Sequence, residues 1–241
     1  MDEHSLSADV ILEVIHGSRA YGTHHPDSDV DYKGVVLPTT PAIYFGFGHF
    51  EQKDKWADGV DRVWYDLRKF CRLALMCNPN IIEVLWVPPE CIKVCTDIGH
   101  ELIEMRQSFL SKRIFRSFAG YAYDQGKKLA AKVERGEQPN WKHAMHLVRL
   151  SRMANEIASN GSIIVRRPDA EELKEIRAGR WSYDKIMAHV EFLKESTHVL
   201  ESSSPLPVHP NDRGVEEWVV GVIQRRLLGD DIYRNYGCVK E

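Results

Sequence analysis

All but one of the strand-like runs in this chain lie in its first hundred residues, and almost everything after them carries the period of a helix. Val10 to Ile15 is a short apolar β-prone run ending at Gly17, and turn formers fill Ser18 to Ser28. Asp29 to Leu37 reads as a second strand stopped by Pro38, and Val60 to Tyr65 alternates as a third after the hairpin signal Asp58-Gly59. The stretch Ala42 to Phe50, with Gly46 and Gly48 among aromatics, is assigned to neither class. Asp66 then caps a helix whose apolar stripe is Leu67, Phe70, Cys71, Ala74 and Leu75, closing at Asn78-Pro79. A short helix over Asn80 to Trp86 is broken by Pro88-Pro89. Helical spacing follows over 98–109, 112–133, 141–158, 169–178, 183–196 and 215–228. Asn160-Gly161 is a turn, Ser162 to Arg166 is β-prone, and the Ser- and Pro-rich stretch Glu201 to Pro210 is a linker. Strands first and helices after predict an α+β fold, a small sheet in residues 1–100 followed by a helical region in 101–241.

The 241 residues are 43% hydrophobic and 28% charged, the balance of a globular chain with ample material for a core. No apolar run approaches the ~20 residues of a membrane helix, and Met1-Asp2-Glu3-His4 is unlike a signal peptide, so no membrane association is expected and the location is read as cytoplasmic. Five cysteines, Cys71, Cys77, Cys91, Cys95 and Cys238, are irregularly spaced. Cys91 and Cys95 with His100 lack the close paired spacing of a structural zinc site, so free thiols are expected. The net charge of −3 conceals a division: residues 1–100 sum to −6, residues 101–180 to +6 and residues 181–241 to −3. An acidic segment followed by a basic one suits cations in the first and polyanions in the second, or simply a solvated helix surface.

Chemistry is concentrated in Gly17-Ser18-Arg19-Ala20-Tyr21-Gly22 and Ser28-Asp29-Val30-Asp31. Two apart on one strand, Asp29 and Asp31 would leave the same face with Cα atoms ~6–7 Å apart. Their repulsion, roughly 3 kcal/mol at an effective dielectric of ~20, invites a cation. Paired Mg²⁺ ions of phosphoryl-transfer sites lie ~3.5–4 Å apart, within reach of such a pair. Asp61, on the next strand in a hairpin-like arrangement, offers a third carboxylate. Asp66 is the alternative, but its position suits a helix cap. Gly17 at a strand end allows close backbone approach to a phosphate, where the Ser18 hydroxyl and Arg19 would donate. An isolated D-x-D is common on strand edges; its specificity comes from the preceding Gly-Ser and the flanking strands. No Walker phosphate loop and no dinucleotide-binding glycine fingerprint occurs.

Gly17-Ser18 followed by Ser28-Asp29-Val30-Asp31 resembles the defining motif of the polymerase-β-like nucleotidyltransferase superfamily. Asp66 to Phe70, Asn78-Pro79-Asn80 through Trp86, His143 through Leu150 and Ile164 to Pro168 resemble a stand-alone subgroup associated with RNA ligases and RNA repair and also carried by bacteriophages. The likeness covers roughly residues 10–190. It implies a small mixed sheet with a two-metal site, Mg²⁺ with Mn²⁺ as a substitute, transferring a nucleoside monophosphate from an NTP to an acceptor hydroxyl with release of pyrophosphate. By the same resemblance Gly17 and Ser18 hold the triphosphate, and Asp29 and Asp31, with Asp61 as the favoured third member, ligate metal. The implied acceptor is an RNA 3′ end, such as that of tRNA, in company with an RNA ligase. Two alternatives stay open: a protein hydroxyl as acceptor, as in antitoxin-like relatives, and a module that binds NTP or RNA without turnover.

On the helix predicted over 141–158, Lys142, Met145, His146, Arg149 and Arg152 recur at three- and four-residue spacing, with His143 alongside. Lys142, His146 and Arg149 suit a triphosphate, and Arg152, Arg166 and Arg167 an acceptor backbone. The competing account is a polar helix face and salt-bridged corners. Lys127, Lys128 and Lys132 lie near Glu134 and Glu137 and are read as solvated. Aromatic interleaving of the kind that stacks bases is not evident.

Overall fold

The computed structural model describes residues 8–228; the amino-terminal tetrapeptide and Cys238 lie outside them. The strands are β1 (Ala8–His16), β2 (Val30–Pro38), β3 (Gln52–Ala57), β4 (Val60–Asp66) and β5 (Ile92–Cys95), in the sheet order β3-β4-β2-β1-β5. β1 runs antiparallel to both β2 and β5, and β3 antiparallel to β4, but β2 and β4 are parallel. The hairpin-like neighbourhood expected for Asp29–Leu37 and Val60–Tyr65 is therefore corrected. A parallel pair needs a crossover, and it is supplied by the unassigned stretch after Pro38, which forms a short helix α2 (Ala42–Phe45) and then β3. The turn Asp58-Gly59 joins β3 to β4, both residues at positive φ (50° and 73°) as a tight hairpin requires.

Neither β3 nor β5 is marked in the sequence: β3, Gln52-Lys53-Asp54-Lys55-Trp56-Ala57, is an edge strand almost wholly exposed and so lacks an apolar face. Ser162 to Arg166 forms no strand. The turn-rich segment after β1 contains a five-residue helix, α1 (Gly17–Tyr21), closed by left-handed Gly22. The Asp66-capped helix is α3 (Leu67–Leu75), with its expected stripe buried, and α4 (Pro79–Ile82) continues into a tight turn to Trp86. Then come α5 (Asp97–Glu104), α6 (Arg113–Glu134), α7 (Trp141–Asn160), α8 (Ala170–Arg177), α9 (Tyr183–Ser203) and α10 (Asp212–Leu228). Helix α9 runs through the first three residues of the expected linker, so the connection starts at Ser204.

The architecture is mixed α+β, as the order of sequence periods predicted. Among the described residues one hydrophobic core runs from Leu12, Val14 and Val35 on the sheet through Phe70 and Leu85 to Met145 and Val148 of α7 and Val222 of α10. Among the described residues no helix is long and apolar enough to cross a membrane. Cys71, Cys77, Cys91 and Cys95 are free thiols.

Register decides what the sheet presents. His16 of β1 pairs with Asp31 of β2, Asp31 with Asp61 of β4, and Asp61 with Trp56 of β3. Directly paired residues project to the same side of a sheet, so these four form one row on one face. The next row on that face is Val14, Lys33, Val63 and Asp54.

Candidate active site

The row of carboxylates opens into a cavity of about 950 Å³ between the sheet and the helices. Gly17 has φ +62°, and a Cβ built on it would stand 1.9 Å from Oδ2 of Asp31. The Asp31 carboxylate thus rests against the backbone where β1 turns into α1, a contact only glycine permits. The far end of α1 is closed by Thr23 N–H donating to the Ser18 carbonyl at 2.8 Å.

Asp29 departs from expectation: β2 begins at Val30, whose N–H donates to the Gly59 carbonyl at 2.9 Å, and Asp29 sits in the loop before it. The turn formers Pro26, Asp27 and Ser28 keep this residue out of the ladder. Its Oδ1 lies 3.7 Å from where a Cβ of Gly59 would stand, beside the β3–β4 turn, and it lines the same cavity as Asp31 and Asp61. Burial, helped by the negative charges of Asp61 and Asp29, raises the pKa of Asp31 above the usual aspartate value, while Lys33 and Lys142 oppose the rise. Asp66 is elsewhere. It is 2% exposed at the far end of β4, accepts from Arg68 N–H at 2.9 Å and pairs with the Arg68 guanidinium.

Among the described residues no three His, Cys, Asp or Glu side chains are gathered as a ready metal cage. The donor set nevertheless fits Mg²⁺, which keeps several waters and is usually bound through one or two carboxylates together with substrate phosphates. The mutual repulsion registered at Asp31 is the cost such an ion would relieve.

Lys33 was not singled out by sequence, although two residues after Asp31 on one strand it must share its face. Its Nζ donates to the Asn80 carbonyl, and burial brings its pKa down to about 8 against the pull of Glu83 and Asp31. The opposite wall comes from α6, α7 and α8: Asp124 and Lys128, then Lys142, His146 and Arg149, then Arg177. Lys128, read as merely solvated, is exposed but on the cavity rim. The sequence could not reveal this, because the spacing of a single helix does not show which other element faces it.

Beneath the cavity lies a buried polar cluster. Glu83 is fully buried; it accepts from Tyr21 Oη at 2.5 Å and pairs with Arg149 Nη1 at 2.7 Å, with His16 Nε2 at 3.5 Å. The Arg149 guanidinium stacks over the Tyr21 ring at 3.9 Å. Arg149 therefore lines the cavity while its charge is already balanced by Glu83. Burial, with Lys33 and Arg149 nearby, lowers the pKa of His16, and burial, with Arg149 and Lys142, brings His146 down to about 3. Both rings are neutral in the folded protein. The unfolded chain binds protons at these positions below ~6.5 that the folded one refuses, so stability must fall with acidification. Between about pH 7.5 and about pH 5.5 the two should remove about 2–3 kcal/mol; urea midpoints at those two pH values measure it, and His146→Gln should flatten the dependence.

Four arginines considered for ligands do not line the cavity. Arg19 donates to the Ser28 carbonyl at 3.0 Å and steadies the loop before Asp29. Arg152 is taken up by Asp169 and Glu172, both at 2.6 Å. Arg166 joins the Arg19 carbonyl and Glu90, each at 2.9 Å. Arg167 is buried between Glu156 and Asp169. The salt-bridged account describes the last three.

A family model described as the RNA repair pathway DNA polymerase beta family, RlaP, matches residues 2–203. The chain belongs to this polymerase-β-like nucleotidyltransferase family. RlaP membership agrees with the resemblance carried by Gly17-Ser18 and Asp29-Val30-Asp31. A protein of Enterobacteria phage T4, described as an uncharacterized 38.9 kDa protein in the nrdC-mobD intergenic region, is 27% identical over 135 residues, 52% of this chain and 40% of the phage protein. The matched stretch thus spans two fifths of that relative's length. A crystal structure of a nucleotidyltransferase-like protein from Exiguobacterium sibiricum 255-15 aligns with 96% of this chain and 81% of its own at 10% identity and a TM-score of 0.32.

Proposed function

We propose that this RlaP-family chain transfers a nucleoside monophosphate from an NTP to the hydroxyl of an RNA 3′ end, tRNA included, and releases pyrophosphate. The observation that carries the proposal is the pairing of Asp31 with Asp61 across β2 and β4, with the Gly17 backbone against one side of the pair and a cationic helix wall opposite. Asp29, Asp31 and Asp61 would hold two divalent cations, Mg²⁺ or Mn²⁺; when bound these neutralise the triphosphate and the developing charge at the α-phosphorus. Gly17 and Ser18 offer backbone N–H and hydroxyl donors to the phosphates at the Asp31 side of the pair. Lys33 adds positive charge from within the cavity, and the exposed Lys142 and Lys128 add it at the rim. His146, being neutral, supplies a hydrogen bond rather than a charge.

In the transfer, the acceptor oxygen bonds to the α-phosphorus as the bond to the pyrophosphate oxygen breaks. The acceptor proton passes to Asp61 or through it to water. Residues 1–100 would thus carry the chemistry and residues 101–241 the nucleotide and the acceptor's approach. Free thiols suit a cytoplasmic setting beside an RNA ligase.

Incubation with each α-labelled NTP, Mg²⁺, a pool of intact and cleaved tRNA, and candidate protein acceptors tests this directly. RNA lengthened by one or more labelled nucleotides is expected; labelled protein would move the activity to a protein hydroxyl, and NTP binding without pyrophosphate release would remove it.

A further inference from the structure

Trp56 closes the row of paired residues that begins at His16 and passes through Asp31 and Asp61. It is 71% exposed, on the edge strand, on the carboxylate face of the sheet. Trp56 is one of several aromatic rings that this chain leaves in water, and its place in the carboxylate row is what sets it apart. It is also held in place: the Asp58-Gly59 turn is two residues away, and the Gly59 carbonyl accepts from Val30 beside Asp29. The backbone position of Trp56 is therefore set relative to all three carboxylates, just outside the residues that line the cavity.

Order along the row gives the ring its meaning. The Gly17 backbone flanks Asp31 on the β1 side, so the triphosphate lies there under the function proposed above, on which this inference rests. The attacking hydroxyl must then come from the other side, over Asp61. The ribose bearing that hydroxyl has its base within about one strand spacing, ~4.8 Å, of the next strand outward. That strand presents Trp56. We infer that Trp56 is the stacking platform for the terminal base of a single-stranded RNA acceptor. Stacking on one ring is sequence-tolerant because every base has a flat face, and it needs no interleaved aromatics. This is how a base-binding surface arises in a chain whose aromatic spacing shows none. A protein acceptor would have no flat base to place on the ring.

The full chain, with Trp56→Ala and Trp56→Phe, is titrated with fluorescein-labelled single-stranded RNA carrying a free 3′ hydroxyl, ending either in a base or in an abasic ribose. Trp56→Ala should weaken binding of base-ended RNA by about 5- to 150-fold, the range of a lost base–aromatic stack. Trp56→Phe should retain most of the affinity. Abasic-ended RNA should bind the wild type about as weakly as the alanine variant binds base-ended RNA, with no further loss on combining the two changes. In turnover, KM for RNA should rise while KM for NTP stays put. Equal binding by all three proteins overturns the inference, as does a rise in NTP KM instead of RNA KM. Labelling of protein with no RNA binding also overturns it and leaves nucleotidyl transfer standing. RNA stacking on Trp56 without pyrophosphate release from any acceptor keeps the inference and removes the proposed reaction.

Discussion

Asp31→Asn should fold at least as well as the wild-type chain and lose nucleotidyl transfer by about 10³-fold or more. The two halves of this expectation have one cause. Asp31 is half-buried beside Asp61 and Asp29, and its pKa is raised in the folded state. A carboxyl with a raised folded-state pKa costs stability once it ionises, and the cost disappears as pH falls through the raised value. Asparagine keeps the shape and removes the charge, so the melting temperature should hold or rise at neutral pH. Under the proposed function the same charge would attract a cation and, with Asp61, orient the acceptor. Adding Mg²⁺ and a nucleotide should therefore raise the melting temperature of the wild type and leave that of Asp31→Asn nearly unchanged, since only a state that binds ligand is stabilised by it. Full activity in the variant, or a collapse of its fold, would contradict the assignment. Asp66→Ala supplies the contrast. It should cost a helix cap, about 1 kcal/mol, and little activity.

Glu83→Ala should lower stability by about 3–5 kcal/mol, because it strands a buried guanidinium and a buried tyrosine hydroxyl at once. In a chain of this size that is a fall in melting temperature of about 6–20 °C. The partners come from separate elements: Tyr21 from α1, Arg149 from α7, and His16 from the end of β1. The cluster thus ties the phosphate-side turn to the helix wall. Replacing both charges, Glu83→Leu with Arg149→Met, should restore most of the stability, since a buried ion pair is commonly no more stabilising than well-packed apolar groups. Activity should not return with it, because the cavity floor loses its cation and the Tyr21 ring loses the group stacked on it. Thermal melts and single-turnover rates on the same samples separate the two effects. A Glu83→Ala protein that melts with the wild type would show that the pair is not holding the layers together.

What the sequence shows of this fold follows from how each element is stabilised. β1, β2, β4 and the Asp66-capped α3 bury apolar residues at a regular period, and so they are visible. β3 is held by main-chain pairing to β4 and by the Asp58-Gly59 turn, with hardly any buried side chain, and it leaves no pattern. Missing β3 hid the crossover, and with it the parallel pairing of β2 and β4. The Gly-Ser and Asp-x-Asp spacing points to β1 and β2, two of the three strands at the candidate site. That Asp61 pairs with Asp31 residue for residue depends on register, which is fixed by contacts far apart in the chain. For the same reason the sequence leaves Arg152, Arg166 and Arg167 open between acceptor contacts and structural salt bridges: their carboxylate partners Glu172, Glu90 and Glu156 are identifiable only once the chain has packed.

The crossover has a consequence for how such a protein can diversify. It leaves β2 at Pro38 and re-enters the sheet at Gln52, opposite Tyr65, four residues beyond Asp61 on β4. That is roughly 13 Å from the carboxylates at strand rise. Phe45 and Phe47 stand out from it, 80% and 109% exposed. Extra sequence grafted there would lengthen the path between two strands without moving either one, because the register is pinned at the opposite end by the β3–β4 turn. The sheet therefore has a working end, where one residue's slip would be ruinous, and an open end, where whole segments can be gained or lost while the spacing of Asp31 and Asp61 is kept.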